Sequence, residues 1–397
     1  MSAAARRSLA GTTILQLVPA LHDDPAGRGA LDIARAVLQA GARAIVAGGS
    51  GPLAAELRGL GGEWLSMCSD TFNPLRIKLN ARRLAALIAN ERIDIVHAHS
   101  AGAAWSALAA IDRMPVFLVT SFPDRLPPNV WPLTPFQGSL ARGDRVIASS
   151  AYVSRAMIAR HDIAPERIGV IPRAVDAATF DPEAVNAERI AALRREWTIA
   201  PGTRVVLTLG RIAPEDGQES VIDAARLLAD DGARDVAFVF AGDADRSARH
   251  AEHLRRRTEA HGIGTQCRIA AACDDLPAAL ALADVVVVPA LEPPPTGILA
   301  AQAQAMGRPV VVSDIGALPE AVLCPPRMVA DVRTGWLVSP GSAIELARAI
   351  GATLALDVTA YRALSARARQ FAEFAFSPQR VAEAICGVYT SLLARDA

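Results

Sequence analysis

DVVVVPA, residues 284–290, runs into LEPPPTGILAAQAQAMGRPVVVSDIGALPE, residues 291–320, and together they read as strand, turn, helix and strand. The valine run does not alternate with polar residues, so both of its faces are buried, as in a parallel sheet covered by helices. A proline-rich turn ends at Thr296, small and apolar residues predict a helix over 297–306, Gly307 stops it, and RPVVVSD (308–314) is a second buried strand. Thr296 suits the N-cap. The N–H groups of Gly297, Ile298 and Leu299 then have no intrahelical partner, and with the positive end of the helix dipole they form a ready anion site.

The same alternation extends in both directions. Strands are predicted at 204–210 (RVVLTLG), 236–242 (VAFVFAG), 266–270 (QCRIA) and 335–340 (GWLVSP). An earlier set lies at 13–19 (TILQLVP), 43–48 (RAIVAG), 93–100 (IDIVHAHS), 116–122 (VFLVTSF), 145–150 (RVIASS) and 168–173 (IGVIPR). Between the first two of these, Ala30, Ile33, Ala34, Val37 and Leu38 share one helical stripe that Gly41 ends; Leu84, Leu87 and Ile88 mark another. The fold class is therefore α/β, with two Rossmann-like parallel sheets in tandem. The turn-rich stretch 176–201 is the natural linker, and the final segment 378–393 carries Val381, Ile385, Val388 and Leu392 at helical spacing with no strand after it. Such a helix needs a partner surface, and in two-sheet proteins it commonly crosses back to the first domain. The expected domains are 1–178 joined by 376–397, and 179–375.

A chain of 397 residues is long enough for two cores, and its 51% apolar and 21% charged residues are ordinary for a globular protein. Lys+Arg and Asp+Glu are both 41, so the overall balance calls for neither nucleic acid nor an acidic membrane surface. Lys78 is the only lysine, which a GC-rich coding bias explains. Cys68, Cys267, Cys273, Cys324 and Cys386 are scattered without CxxC pairs, which argues against a zinc site and a disulfide framework and fits a reducing cytoplasm. Arg6 and Arg7 precede an apolar stretch that Thr12, Thr13 and Gln16 interrupt, without a cleavage signature. No run approaches the roughly 20 apolar residues of a membrane span. The expected location is cytoplasmic, with at most peripheral contact at the inner face of the membrane.

Ligands of open parallel sheets bind beyond the carboxyl ends of the strands. If the two sheets face each other across a cleft, the loops that matter are 20–29, 97–103, 121–129, 210–218, 242–247, 272–277, 291–298 and 314–319. His97 and His99 lie two apart at a strand end and face one side. A metal pair there lacks an evident third ligand, and a structural or acceptor-side role is the preferred reading. Residues 70–83 group Arg76, Lys78, Arg82 and Arg83 beside apolar residues. That set suits a lipid-linked or acidic acceptor, or else a solvated helix face.

AQAMGRPVVVSDIGALPE (303–320), VIPRAVDAATFDP (170–182), TLGRIAPEDGQES (208–220) and GWLVSPGSAIELARAI (335–350) resemble, in order and spacing, the motifs of the family 4 glycosyltransferases. RGALDIARAVLQAGARAIVA (28–47), the IDIVHAHS strand and ARGDRVIASSAYVSR are similar to the same family, so the likeness covers nearly the whole chain. The resemblance implies a GT-B enzyme that moves a sugar from a nucleotide-diphosphate-sugar to a glycan or lipid-linked acceptor, with retention at the anomeric carbon and with no metal or cofactor. Its donor would be held by an arginine and a lysine, a helix N-terminus and two glutamates eight positions apart. Preorganised donors of this kind stabilise the charge that grows on the leaving diphosphate.

Arg211 falls on the family's arginine, and a guanidinium suits a diphosphate. The lysine position is Asp216, before Gly217 and Gln218. The second glutamate is Gln302, a weaker acceptor for ribose hydroxyls than a carboxylate. The first glutamate is Pro294, with Glu292 two residues away, and Pro294 and Pro295 also remove two N–H donors. Donor contacts are expected at Arg211, Thr296, Gly297, Ile298 and Gln302, and at Asp274 and Leu276 on the loop 272–277. In the first domain Gly27 and Gly29 stand for the family's glycine loop beside Asp23 and Asp24, and the sugar-side histidine aligns with Pro123. His22 and His99 are the remaining catalytic candidates. Three departures, Asp216, Pro294 and Pro123, make a catalytically silent binding or partner subunit the alternative to a working transferase in cell-envelope or polysaccharide synthesis. A nucleotide-sugar epimerase would want paired acid and base residues, and a periplasmic sugar binder a signal peptide; neither is visible.

Overall fold

The computed structural model describes residues 9–22, 25–112, 114, 116–122, 138–243 and 248–394. The chain divides into two compact units, Met1–Ala174 with Pro378–Ala397, and Val175–Ser377. Among the described residues, no helix is long and apolar enough to cross a membrane.

The first unit carries a seven-stranded sheet of β1 (Thr13–Ala20), β2 (Arg43–Gly49), β3 (Glu63–Ser66), β4 (Ile95–Ala98), β5 (Phe117–Ser121), β6 (Arg145–Ala148) and β7 (Ile168–Val170). Its order is β3-β2-β1-β4-β5-β6-β7, and every pairing is parallel. The sequence reading lacks β3. This strand is only partly buried and paired to β2 alone, and Glu63, Trp64, Leu65 and Ser66 lack the run of Val and Ile that marked the others.

The second unit holds β8 (Arg204–Leu209), β9 (Val236–Ala241), β10 (Cys267–Ala270), β11 (Val285–Val288), β12 (Val310–Ser313) and β13 (Gly335–Val338), ordered β10-β9-β8-β11-β12-β13 and again parallel. In each sheet the strand order reverses once, between β1 and β4 and between β8 and β11. Those reversals are the switch points beside which such sheets bind ligands. One device recurs at the opposite ends of these strands: Asp94, just before β4, accepts the Thr13 N–H at 2.7 Å, and Asp284, just before β11, accepts the Val205 N–H at 2.7 Å.

Apolar residues pack on both faces of each sheet, as the unalternating strands require. The C-terminal helix Pro378–Leu393 belongs to the first unit. Its Ile385, Tyr389 and Leu392 join a cluster with Ile14, Leu31 and Val37, where the helix lies on Pro25–Gln39.

Candidate functional site

In the second unit the switch-point loops follow β8 and β11. The β8 loop passes through Gly210 and a 3-10 turn, Pro214–Asp216, to Gly217. Gly217 is left-handed (φ +76), and a Cβ there would stand 2.0 Å from the Pro289 carbonyl oxygen, so only glycine lets the β8 loop lie against the end of β11. Gln218, buried at the start of the next helix, donates from Nε2 to the Arg211 carbonyl at 2.7 Å. The Leu291 and Glu292 N–H groups donate to the Glu215 carbonyl at 2.9 and 3.3 Å. The backbone of the loop is thus tied at both ends.

Arg211 stands half-exposed on this loop, yet its guanidinium is engaged: Nη1 lies 3.3 Å from Glu215 Oε1, and Nη2 lies 3.1 Å from Asp216 Oδ1. Asp216, on the lysine position, therefore pairs with the cation beside it. His250, on the helix Ala248–Ala260, is a neighbour that sequence reasoning missed, because a histidine on a polar surface helix carries no motif. Burial pushes its pKa down, against the pull of Glu219, Glu215 and Asp216.

The helix after the proline turn runs Ile298–Ala305, and its N-cap is Gly297 without a side-chain cap. This corrects the expectation of Thr296 at the cap and a start at Gly297. A Cβ on Gly297 would come within 2.5 Å of Ala321 Cβ, so close packing requires glycine where the helix opens and moves the cap one residue on. Ala301 is the first residue whose N–H finds an intrahelical carbonyl, that of Gly297 at 3.0 Å. The outward donors are accordingly Ile298, Leu299 and Ala300 rather than Gly297 to Leu299.

Pro294 is part of the wall rather than a carboxylate site. Its carbonyl accepts the Ala317 N–H at 2.9 Å, and Gly316 (φ +62) approaches so closely that a Cβ would lie 2.5 Å from that oxygen. The Glu292 side chain is exposed. Gln302 is half-buried one turn into the helix, whereas Gln304 is fully buried and donates to the Ala300 and Ala321 carbonyls. Asp274 is exposed and Leu276 half-buried at the end of β10, the edge strand two places from the switch point. Their neighbour Asp275 caps the helix Leu276–Leu282 and is gripped by Arg189 at 2.6 and 2.8 Å. That grip holds its carboxyl below the usual range.

In the first unit, β1 ends at Ala20, and the side chain of His22, two residues beyond it, is exposed. Gly27 and Gly29 lie within the first turns of the helix Pro25–Gln39, not in a loop as the sequence reading placed them; proline suits a helix start and moves it forward. Gly27 is needed by the packing, since a Cβ would meet the His22 carbonyl oxygen at 2.1 Å. The Arg173 guanidinium lies against Gly29. Asp23, Asp24 and Pro123 fall outside the described residues.

His97 and His99 do face one side, with ring centroids 4.1 Å apart. His97 is fully buried between two hydroxyls, Tyr389 Oη on Nδ1 and Ser121 Oγ on Nε2, each at 2.7 Å. His99 Nε2 lies 3.0 Å from Gln16 Oε1, while Gln16 Nε2 donates to the Ala30 carbonyl. That orientation of the amide makes His99 Nε2 the protonated nitrogen. Burial, then Arg173, pushes His99 down to about 4; burial, then His99, lowers His97 well below the ordinary value. Both rings are neutral near pH 7. Among the described residues, no group of three His, Cys, Asp or Glu is placed to hold a metal ion. The sequence reading missed Gln16 and Tyr389, although a polar residue inside TILQLVP was a visible signal.

Residues 26–179 match the family model described as Glycosyltransferase Family 4, and residues 203–355 match one described as Glycosyl transferases group 1. A D-inositol 3-phosphate glycosyltransferase from Salinispora tropica is 31% identical over 262 residues, 64% of this chain and 52% of that protein. One from Geodermatophilus obscurus is 32% identical over 258 residues, 64% of this chain and 53% of that protein. The chain spans about half the length of the curated relatives it matches. Among solved structures, a glycosyltransferase from Rickettsia africae ESF-5 superposes with a TM-score of 0.83 at 24% identity, covering 96% of this chain and 98% of that one. Anabaena Alr3699/HepE in complex with UDP gives 0.78 at 21% identity, covering 96% and 100%. These likenesses establish the GT-B fold.

Proposed function

The chain belongs to the family 4 glycosyltransferases, and on that premise we propose that it transfers a sugar from a nucleotide-diphosphate-sugar to a glycan or lipid-linked acceptor in cell-envelope or polysaccharide synthesis. The reaction in this reading retains the anomeric configuration and uses no metal. The observation that carries it is the second switch point: Arg211 on the loop after β8, tied by backbone bonds to the β11 loop that opens onto the N-terminus of Ile298–Ala305. Arg211 and the N–H groups of Ile298, Leu299 and Ala300 would take the diphosphate and the charge it gains on leaving. Gln302 would accept from the ribose, and Asp274 and Leu276 would border the nucleotide. The names of the relatives and the UDP bound to a similarly folded protein support the donor class. The cytoplasm suits its free cysteines.

A second reading, a subunit that binds without transferring, rests on the engagement of Arg211 by Glu215 and Asp216. Calorimetric titration with UDP, GDP and ADP sugars separates the two. The transferase reading expects micromolar or tighter binding of one donor, weakened by Arg211→Ala, and label transfer to D-inositol 3-phosphate or a lipid extract. Binding with neither transfer nor donor hydrolysis favours the second reading. No binding to any of the three removes the donor assignment.

A further inference from the structure

The formal net charge of zero conceals an uneven surface. The helix Pro74–Glu91 carries Arg76, Lys78, Arg82 and Arg83, and no acidic residue lies between Thr71 and Asn90. None of the four cations is in an ion pair among the described residues, while Glu91 at the far end is paired to Arg43 at 2.8 Å. The inner face is settled: Asn80, Ala81, Leu84 and Ile88 are buried, and Asn80 donates to the Cys68 carbonyl at 2.7 Å. The outer face is apolar where a solvated helix would be polar. Leu75 is 79% exposed, Leu79 48%, and Phe72, just before the Asn73 cap, 47%.

At about 100° per residue, Leu75, Leu79 and Ala86 form one outward stripe. Arg76 and Arg83 flank it on one side, Lys78 and Arg82 on the other. We infer that this face docks the protein on an anionic bilayer surface, with Phe72, Leu75 and Leu79 entering the headgroup boundary and the four cations meeting lipid phosphates. Position gives the contact a use. Ser69, in the loop leading to the helix, donates to the Val18 carbonyl of β1 at 2.8 Å, and Thr71 packs against Gly102 in the helix that follows β4. The face therefore adjoins the β1–β4 switch point, where a membrane-borne acceptor would arrive. Only this purpose rests on the transferase reading. Polyanions such as RNA would account for the cations but leave the two leucines in water.

Lys78, the only lysine, supplies the test. Full-length protein is mixed with phosphatidylglycerol–phosphatidylcholine vesicles or with phosphatidylcholine alone. Sedimentation gives the partition, and brief acetylation followed by tryptic mass spectrometry reads Lys78 in fragment 77–82. The expected result is binding to anionic vesicles only, with Lys78 protected at least threefold. Leu75→Gln with Leu79→Gln should lower the partition by about tenfold or more. Each Arg or Lys changed to Gln should lower it about fivefold. These side chains are exposed, so circular dichroism should show the variants folded. Equal binding to neutral vesicles, no binding, or indifference to the leucine pair overturns the inference. So does a dimer that the leucine pair abolishes, or RNA binding tighter than vesicle binding. Failure on vesicles with donor binding intact removes this inference alone; absence of donor binding leaves the vesicle result standing.

Discussion

Removing one charge from the β8 loop should strengthen donor binding. Arg211 lies 3.1 Å from Asp216 and 3.3 Å from Glu215, with side-chain exposures of 50%, 28% and 32%. A diphosphate held by Arg211 has to share it with both carboxylates and sits within their field. Two unit charges about 6 Å apart repel by about 0.7 kcal/mol at the dielectric of water and about 2.8 kcal/mol at a dielectric of 20. The exposure of these groups selects the lower part of that range, about 1 kcal/mol, and freeing Arg211 from one competitor adds about 0.5 kcal/mol. Asp216→Asn, nearly isosteric, should therefore tighten UDP binding about tenfold. Titration calorimetry at low ionic strength measures it, and the gain should shrink in about 0.5 M salt. Glu383→Gln, an exposed site on the C-terminal helix, changes net charge equally and serves as the control. An affinity within about twofold of the parent, or an equal gain from Glu383→Gln, would refute the argument.

Gly217→Ala places a Cβ 2.0 Å from the Pro289 carbonyl oxygen on a left-handed backbone, so it should cost the second unit about 2 kcal/mol and weaken UDP binding, both measurable by melting and titration. Tyr389→Phe leaves Nδ1 of buried His97 without its hydroxyl and should lower the stability of the first unit by about 1–3 kcal/mol, while hydrogen exchange in the second unit stays unchanged. His99 is held to about 4 in the folded chain, so between the ordinary histidine value and 4 the unfolded chain binds the extra proton. Stability of the first unit should thus fall as pH drops from about 6.5 to 4, by as much as about 3 kcal/mol from this ring. Urea unfolding across that range should show a shallower pH slope for His99→Gln; identical slopes would remove His99 as the source.

The alternation of strands and helices was legible because it is local. A continuous valine run and a stripe at helical spacing each betray themselves within a dozen residues, as at 284–290 and 30–38. The proline turn was legible for the same reason, whereas Arg211 was singled out only by its place in the motifs that resemble the family. The strand Glu63–Ser66 was not legible, because at a sheet edge only its pairing to β2 makes it a strand.

The character of the sites depended on contacts between distant residues. Strand order created the two switch points. The approach of Ala321 moved the helix cap from Thr296 to Gly297, and the turn of the β8 loop brought Glu215 and Asp216 onto Arg211. The buried bond of His97 joins residues 292 positions apart. Residue type and spacing determine which elements form, since backbone hydrogen bonding and burial periodicity act over a few residues. Which charge meets which, and which apolar face is left in water, follows only once packing has set those elements side by side.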